Sequence, residues 1–139
     1  MKVLFALSVC LSLVAAAASS QPAAPTCASV NAEPKTFENK VVTIRGHWME
    51  YSSTPATRKA TGRFLCVGAA GLDPKAGGFV VDVTGLPFEL LKTISETKGG
   101  VNVTGRIRGT EKVSIYEDGS RRVAIMPFLA DIKIEPPSK

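Results

Sequence analysis

Residues 40–50 read Lys40-Val41-Val42-Thr43-Ile44-Arg45-Gly46-His47-Trp48-Met49-Glu50. Val42, Ile44 and Trp48 share one parity, and Thr43, Arg45 and His47 share the other. A two-residue alternation rich in β-branched side chains predicts a half-buried strand. Gly46 inside it predicts a bulge or a sharp coil of the chain.

Downstream, the polar and breaker-rich segment 51–62 reads as a loop, and 63–67 as a short second strand. The glycine-heavy segment 68–78 connects to a third strand over 79–84, with Phe79, Val81 and Val83 inward and Asp82 outward. The period then changes. Phe88, Leu91 and Ile94 recur every three residues after Pro87, and Gly99-Gly100 follow, so a helix of about three turns is expected. Val101, Val103 and Ile107 restore alternation against Asn102, Thr104, Arg106 and Arg108, with Gly105 at an expected bend. Glu117-Asp118-Gly119-Ser120 signals a hairpin turn. Residues 122–135 form the last extended segment. Ala124, Met126, Phe128, Ile132 and Ile134 read as inner, and Pro127 requires an edge or a bulge. The order is β-β-β-α-β-β.

Upstream, a basic residue, Lys2, precedes an apolar run ending in Ala15 to Ala18. That layout is a secretory leader, and 16 apolar-run residues from Val3 to Ala18 fall short of the roughly 20 that span a bilayer. The expected organisation is a cleaved signal over 1–20, an extended lead-in over 21–36 and one folded domain over 37–136. Export predicts a periplasmic or secreted location. It also changes the cysteine count, because Cys10 departs and Cys27 and Cys66 remain. Two cysteines in an exported domain are expected to form one disulfide.

The chain has 139 residues, a formal charge of +5 and 45% hydrophobic residues. Fifteen of the first 18 residues are apolar, so the remainder has the composition of a small soluble domain. Disordered, collagen-like and coiled-coil classes are excluded.

The stretches 39–46 (NKVVTIRG) and 100–107 (GVNVTGRI) resemble the first- and fourth-strand patterns of small exported bacterial OB-fold proteins, the periplasmic and tRNA-anti-like OB families. The resemblance covers about residues 37–136. It implies an all-β-dominated fold, a five-stranded OB-fold barrel with one helix between strands 3 and 4. The loop over 68–78 is longer than that pattern, and a Cys27–Cys66 bridge is not part of it. A small β-sandwich or an α+β roll is the other architecture considered.

Catalytic motifs are missing: no nucleophile elbow, zinc-protease helix, P-loop or dinucleotide fingerprint occurs. His47 is the single histidine, and a Cys66–His47 nucleophile–base pair competes with the disulfide. The expectation is a non-enzyme with no metal and no cofactor, and a monomer without a membrane span. Basic residues gather near two loops. Arg58, Lys59 and Arg63 lie in or after the 1–2 loop, Arg106 and Arg108 on one strand face, and Arg121 and Arg122 beside Tyr116 at the 4–5 loop. In an OB-fold those loops border the ligand groove. The expected function is therefore a binding module for a small anion, an oligosaccharide or an anionic polymer, held by these eight residues. Nucleic acid is not expected, because few aromatics are placed to stack bases. The alternative is an envelope protein-interaction or stress accessory domain that uses a β-edge or an apolar surface. The apolar series Val123, Ile125 and Leu129, on the side expected to face solvent, motivates it.

Overall fold

The computed structural model describes residues 23–135, so the expected leader over 1–20 lies outside the described residues. The elements are α1 (Cys27–Ala32), β1 (Val41–Thr54), β2 (Lys59–Gly68), β3 (Gly71–Leu72), β4 (Gly78–Asp82), α2 (Phe88–Glu96), β5 (Val101–Glu117) and β6 (Ser120–Ile134). Short 3-10 turns lie at Pro34–Phe37 and Pro74–Ala76. The strands form one six-stranded sheet in the order β1-β5-β6-β4-β2-β3, and β1 also pairs with β2. All pairings are antiparallel except β4 with β6, which is parallel and two residue pairs long.

These observations correct the expected five-stranded OB-fold barrel with one helix: the architecture is a mixed sheet of six strands with two α-helices. Part of the lead-in expected as extended over 21–36 is helical. Thr26 caps α1 by accepting from the Ser29 backbone N–H, and the Ser29 hydroxyl accepts from the Thr26 N–H in return. This reciprocal cap satisfies donors that a six-residue helix would otherwise leave open. Cys27 and Val30, one turn apart, point into the core, and Cys27 is bonded to Cys66 across 39 residues of chain.

The core lies on the inner face of the sheet. Phe64 stacks on Phe79 at 5.2 Å between centroids, and Trp48 meets Phe64 edge-on at the same distance. Around them lie Val42, Ile44, Val81, Val83, Val103, Ile107 and Leu129, with Val30 from α1 and Ile94 from α2. Gly46 is where β1 exchanges partners: residues 41–46 pair with β5, and residues 46–54 pair with β2. A Cβ there would stand 2.5 Å from the Phe79 ring, so only glycine lets the strand cross the aromatic pair.

Three one-residue bulges reset the alternation. Met49 is extra on β1 relative to β2, one of Arg108 and Gly109 is extra on β5, and one of Asp131 and Ile132 is extra on β6. Gly109 and Asp131 have φ of 95° and 53°. Each insertion moves the following side chains to the opposite face. Hence the expected even-numbered inner series of the last strand is interrupted: Pro127 and Leu129 are buried, Phe128 only half-buried, and Ile134 is buried again beyond Asp131. The helix expected after Pro87 is present, but of the recurring Phe88, Leu91 and Ile94 only Ile94 is buried and Phe88 is 75% exposed.

Candidate functional site

Beyond Gly109, β5 and β6 continue as a two-stranded ribbon that no other strand flanks among the described residues. Its tip is the two-residue turn Asp118-Gly119, with φ of 50° and 75°. Both central residues are left-handed, the turn whose twist suits a hairpin. Directly opposed residues in an antiparallel ladder point to the same side. One ribbon face therefore holds the pairs Glu111–Met126, Val113–Ala124, Ile115–Arg122 and Glu117–Ser120. The other holds Thr110–Pro127, Lys112–Ile125, Ser114–Val123 and Tyr116–Arg121.

The first face turns back over the outside of the sheet. Met126 is buried, and its thioether lies within 3.4 Å of the Cβ position of Gly78. Beside this face and β2 is a cleft of about 270 Å³, lined by Met49, Arg63, Leu65, Ile115 and Arg122 and reached also by Tyr116 and Ile125 of the other face. A more polar cleft beside it is lined by Glu50, Lys59, Thr61, Arg63, Glu111 and Lys112 among others. The second face looks outward. Tyr116 is 74%, Ile125 64% and Val123 54% exposed. This face shares its parity with Pro127 and Leu129, which are buried. It is thus the core-facing side of the sheet, continued to where its side chains are more than half exposed among the described residues.

A second apolar surface lies where α2 meets β1. Trp48, Tyr51, Leu86, Phe88 and Leu91 line a shallow cleft edged by Lys92. Phe88 occupies the first turn of α2 and is largely exposed, and Tyr51 is half exposed.

The eight residues expected to hold an anion do not form one site. Arg106 donates to the Asn39 carbonyl, and Arg108 donates to the Asn39 side chain and pairs with Asp131 at 3.6 Å. Together they clamp a left-handed residue, φ 62°, that leads into β1. Arg63 Nε lies 3.0 Å from Glu50, an ion pair by distance whose N–H points off the line, so no hydrogen bond forms. Arg122 stands 3.9 Å from Glu117, and Arg121 donates to Ser114 Oγ at 3.1 Å. Arg58 sits in the turn between β1 and β2 with φ of 52°, and Lys59 opens β2. Arg63, Tyr116 and Arg122 meet at the apolar cleft, and Lys59 and Arg63 at the polar one, while Arg58, Arg106 and Arg108 line neither.

This distribution corrects the expected anion-binding module. Four of the seven cations, Arg63, Arg106, Arg108 and Arg122, are taken up by carboxylates or by Asn39, and the three others do not gather at one cleft. Sequence reasoning passed over Met49, Leu65 and Ile115 in the apolar cleft. Met49 is itself the extra residue of the β1 bulge, and Ile115 lies beyond the β5 bulge, so a simple alternation does not reach them.

Cys66 is in the disulfide, so it supplies no thiol to His47. The His47 Nδ1 is buried without a hydrogen-bond partner. Among the described residues, no three His, Cys, Asp or Glu side chains are grouped to hold a metal ion. Also among them, no helix is long and apolar enough to cross a membrane. Comparison with family models, curated proteins and solved structures finds no match. The resemblance to exported bacterial OB-fold proteins, carried by two short apolar stretches, is therefore corrected, and the chain is described by its own mixed sheet and its uncovered ribbon.

Proposed function

We propose that this protein is a non-catalytic protein-interaction domain of an exported compartment, and that the outward face of the β5–β6 ribbon is its contact surface. One observation carries the reading. Tyr116, Val123 and Ile125 continue the core side of the sheet into solvent, each more than half exposed. Scattered exposed apolar side chains are ordinary, but a contiguous set on a rigid element marks a contact site. Tyr and Ile supply contact area at low entropic cost when a partner covers them. The leader-like composition of residues 1–18 and the Cys27–Cys66 bridge support an oxidising, exported location.

The test is photo-crosslinking in envelope preparations, with a photoreactive residue placed at 116, 125 or, on the α2 surface, 88. The expected result is a discrete protein adduct from positions 116 and 125 that Tyr116→Ser with Ile125→Ser removes from a probe at 123. An adduct from position 88 alone, or none from the ribbon, overturns the assignment.

A further inference from the structure

The two faces of the ribbon differ in charge as well as in exposure. The face turned toward the sheet carries Glu111 and Glu117 with Arg122. The outward face carries Lys112 and Arg121 and no carboxylate between Thr110 and Pro127. Neither cation has a carboxylate partner among the described residues, whereas Arg122 on the opposite face has Glu117. Arg121 is held beside Tyr116 by its hydrogen bond to Ser114, and Lys112 stands opposite Ile125. Each cation therefore stands next to an exposed apolar side chain, one near each end of the face, and Arg121 is also held there by a hydrogen bond. Lys35 and Glu38, near Ile125, add one charge of each sign; Glu50 and Glu111, which line the polar cleft with Lys112, belong to β1 and to the face turned toward the sheet.

Resting on the reading above, we propose that the partner is a protein surface in which apolar side chains are flanked by carboxylates, docked flat along the outward face of the ribbon. Its apolar groups would cover Val123, Ile125 and the Tyr116 ring, and its carboxylates would meet Lys112 and Arg121. Complementary charge at the ends of an apolar strip fixes register and rejects partners of the wrong sign. The tip argues against an anionic bilayer. Glu117 and Asp118 lead the ribbon, so insertion tip-first would press two carboxylates against negative headgroups. A purely anionic polymer would leave the three apolar side chains uncovered.

The experiment uses the whole folded protein and four probes: a peptide of alternating Leu and Glu, one of alternating Leu and Lys, polyglutamate, and phosphatidylglycerol vesicles. Binding to the Leu–Glu peptide is expected to exceed that to the other three. Lys112→Glu with Arg121→Glu should weaken it about tenfold, roughly the sum of two partly exposed ion pairs and their reversal. Equal binding of the Leu–Lys peptide, or stronger binding of polyglutamate or vesicles, overturns the proposal. The same double reversal is applied to the crosslinking assay. If Tyr116→Ser with Ile125→Ser removes the adduct and the charge reversal does not, the interaction surface stands and the acidic partner falls. If neither changes it, both fall.

Discussion

Near their base, β5 and β6 bury Val103, Ile107 and Leu129 completely, whereas past Gly109 the same side of the same ladder leaves Val123 and Ile125 more than half exposed. The residue types are alike in the two regions, and so is the pairing. What differs is the cover. At the base, Phe64 and Phe79 from the facing strands, Val30 from α1 and Ile94 from α2 close over the ladder. Along the ribbon, the 3-10 turn at Pro34–Phe37 reaches only the Ile125 end of the outward face, and Val123, Ile125 and Tyr116 stay more than half exposed. Burial is therefore a property of what stands opposite a side chain, and the ribbon has the chemistry of a core face without its opposite half. That contrast predicts large stability effects at the base and interaction effects with little stability cost on the ribbon.

The largest expected effect is at the aromatic centre. Phe64→Ala removes the ring that stacks on Phe79 and receives the edge of Trp48. A fully buried aromatic truncated this way costs about 3–5 kcal/mol, and urea unfolding measures it. A loss below about 1 kcal/mol would mean that the base collapses onto the cavity and is no better packed than the ribbon.

The staple comes next. Cys27→Ser with Cys66→Ser should cost about 2–4 kcal/mol, because the unfolded chain regains the freedom of the closed loop. Limited proteolysis should then cut near residues 23–33, since α1 is too short to hold its place by its own hydrogen bonds. Unchanged resistance to cleavage would show that Val30 and the Thr26 cap suffice. Gly46→Ala follows at about 1–3 kcal/mol, the usual cost of forcing a methyl into a packed core. Here the added Cβ meets the Phe79 ring at 2.5 Å and Phe64 Cβ at 2.9 Å, neither a flexible chain end.

The contrast between base and ribbon also explains what the sequence shows and what it hides. Alternation over 40–50, 79–84 and 101–107 placed strands where the structure has them, because a strand buried on one face must alternate. Gly46 was readable as a point of sharp change for the same reason. The extension of β1 and β2 through 51–62 was hidden, since Tyr51–Thr54 and Lys59–Gly62 pair with each other across a polar turn and need little apolar content. Helix α1 was hidden because six residues hold fewer than two turns of period, although Thr26 with Ser29 was a visible capping signal. The inner face of β6 was misjudged because the Asp131 bulge shifts parity once, and a parity count has no means of seeing an insertion opposite Gly105. The basic cluster was legible as charge but not as a site. Arg106 and Arg108 look like free cations on a strand face until the chain brings Asn39, some 67 residues away, against them.

The smallest expected stability effect tests the ribbon itself. Tyr116→Ser with Ile125→Ser should change unfolding free energy by no more than about 0.5 kcal/mol, because surface substitutions remove little that the fold uses. The backbone pairs Tyr116–Arg121 and Lys112–Ile125 remain, and Met126 and Ala124 on the opposite face still hold the ribbon against the sheet. The same variant should elute earlier from a hydrophobic-interaction column, since two of the three exposed apolar side chains of this face are gone. If instead the protein loses 2 kcal/mol or more, on the scale of a core truncation, then Tyr116 and Ile125 are part of the fold's own packing, the two halves of the ladder are not energetically distinct, and the ribbon has no surface to offer a partner.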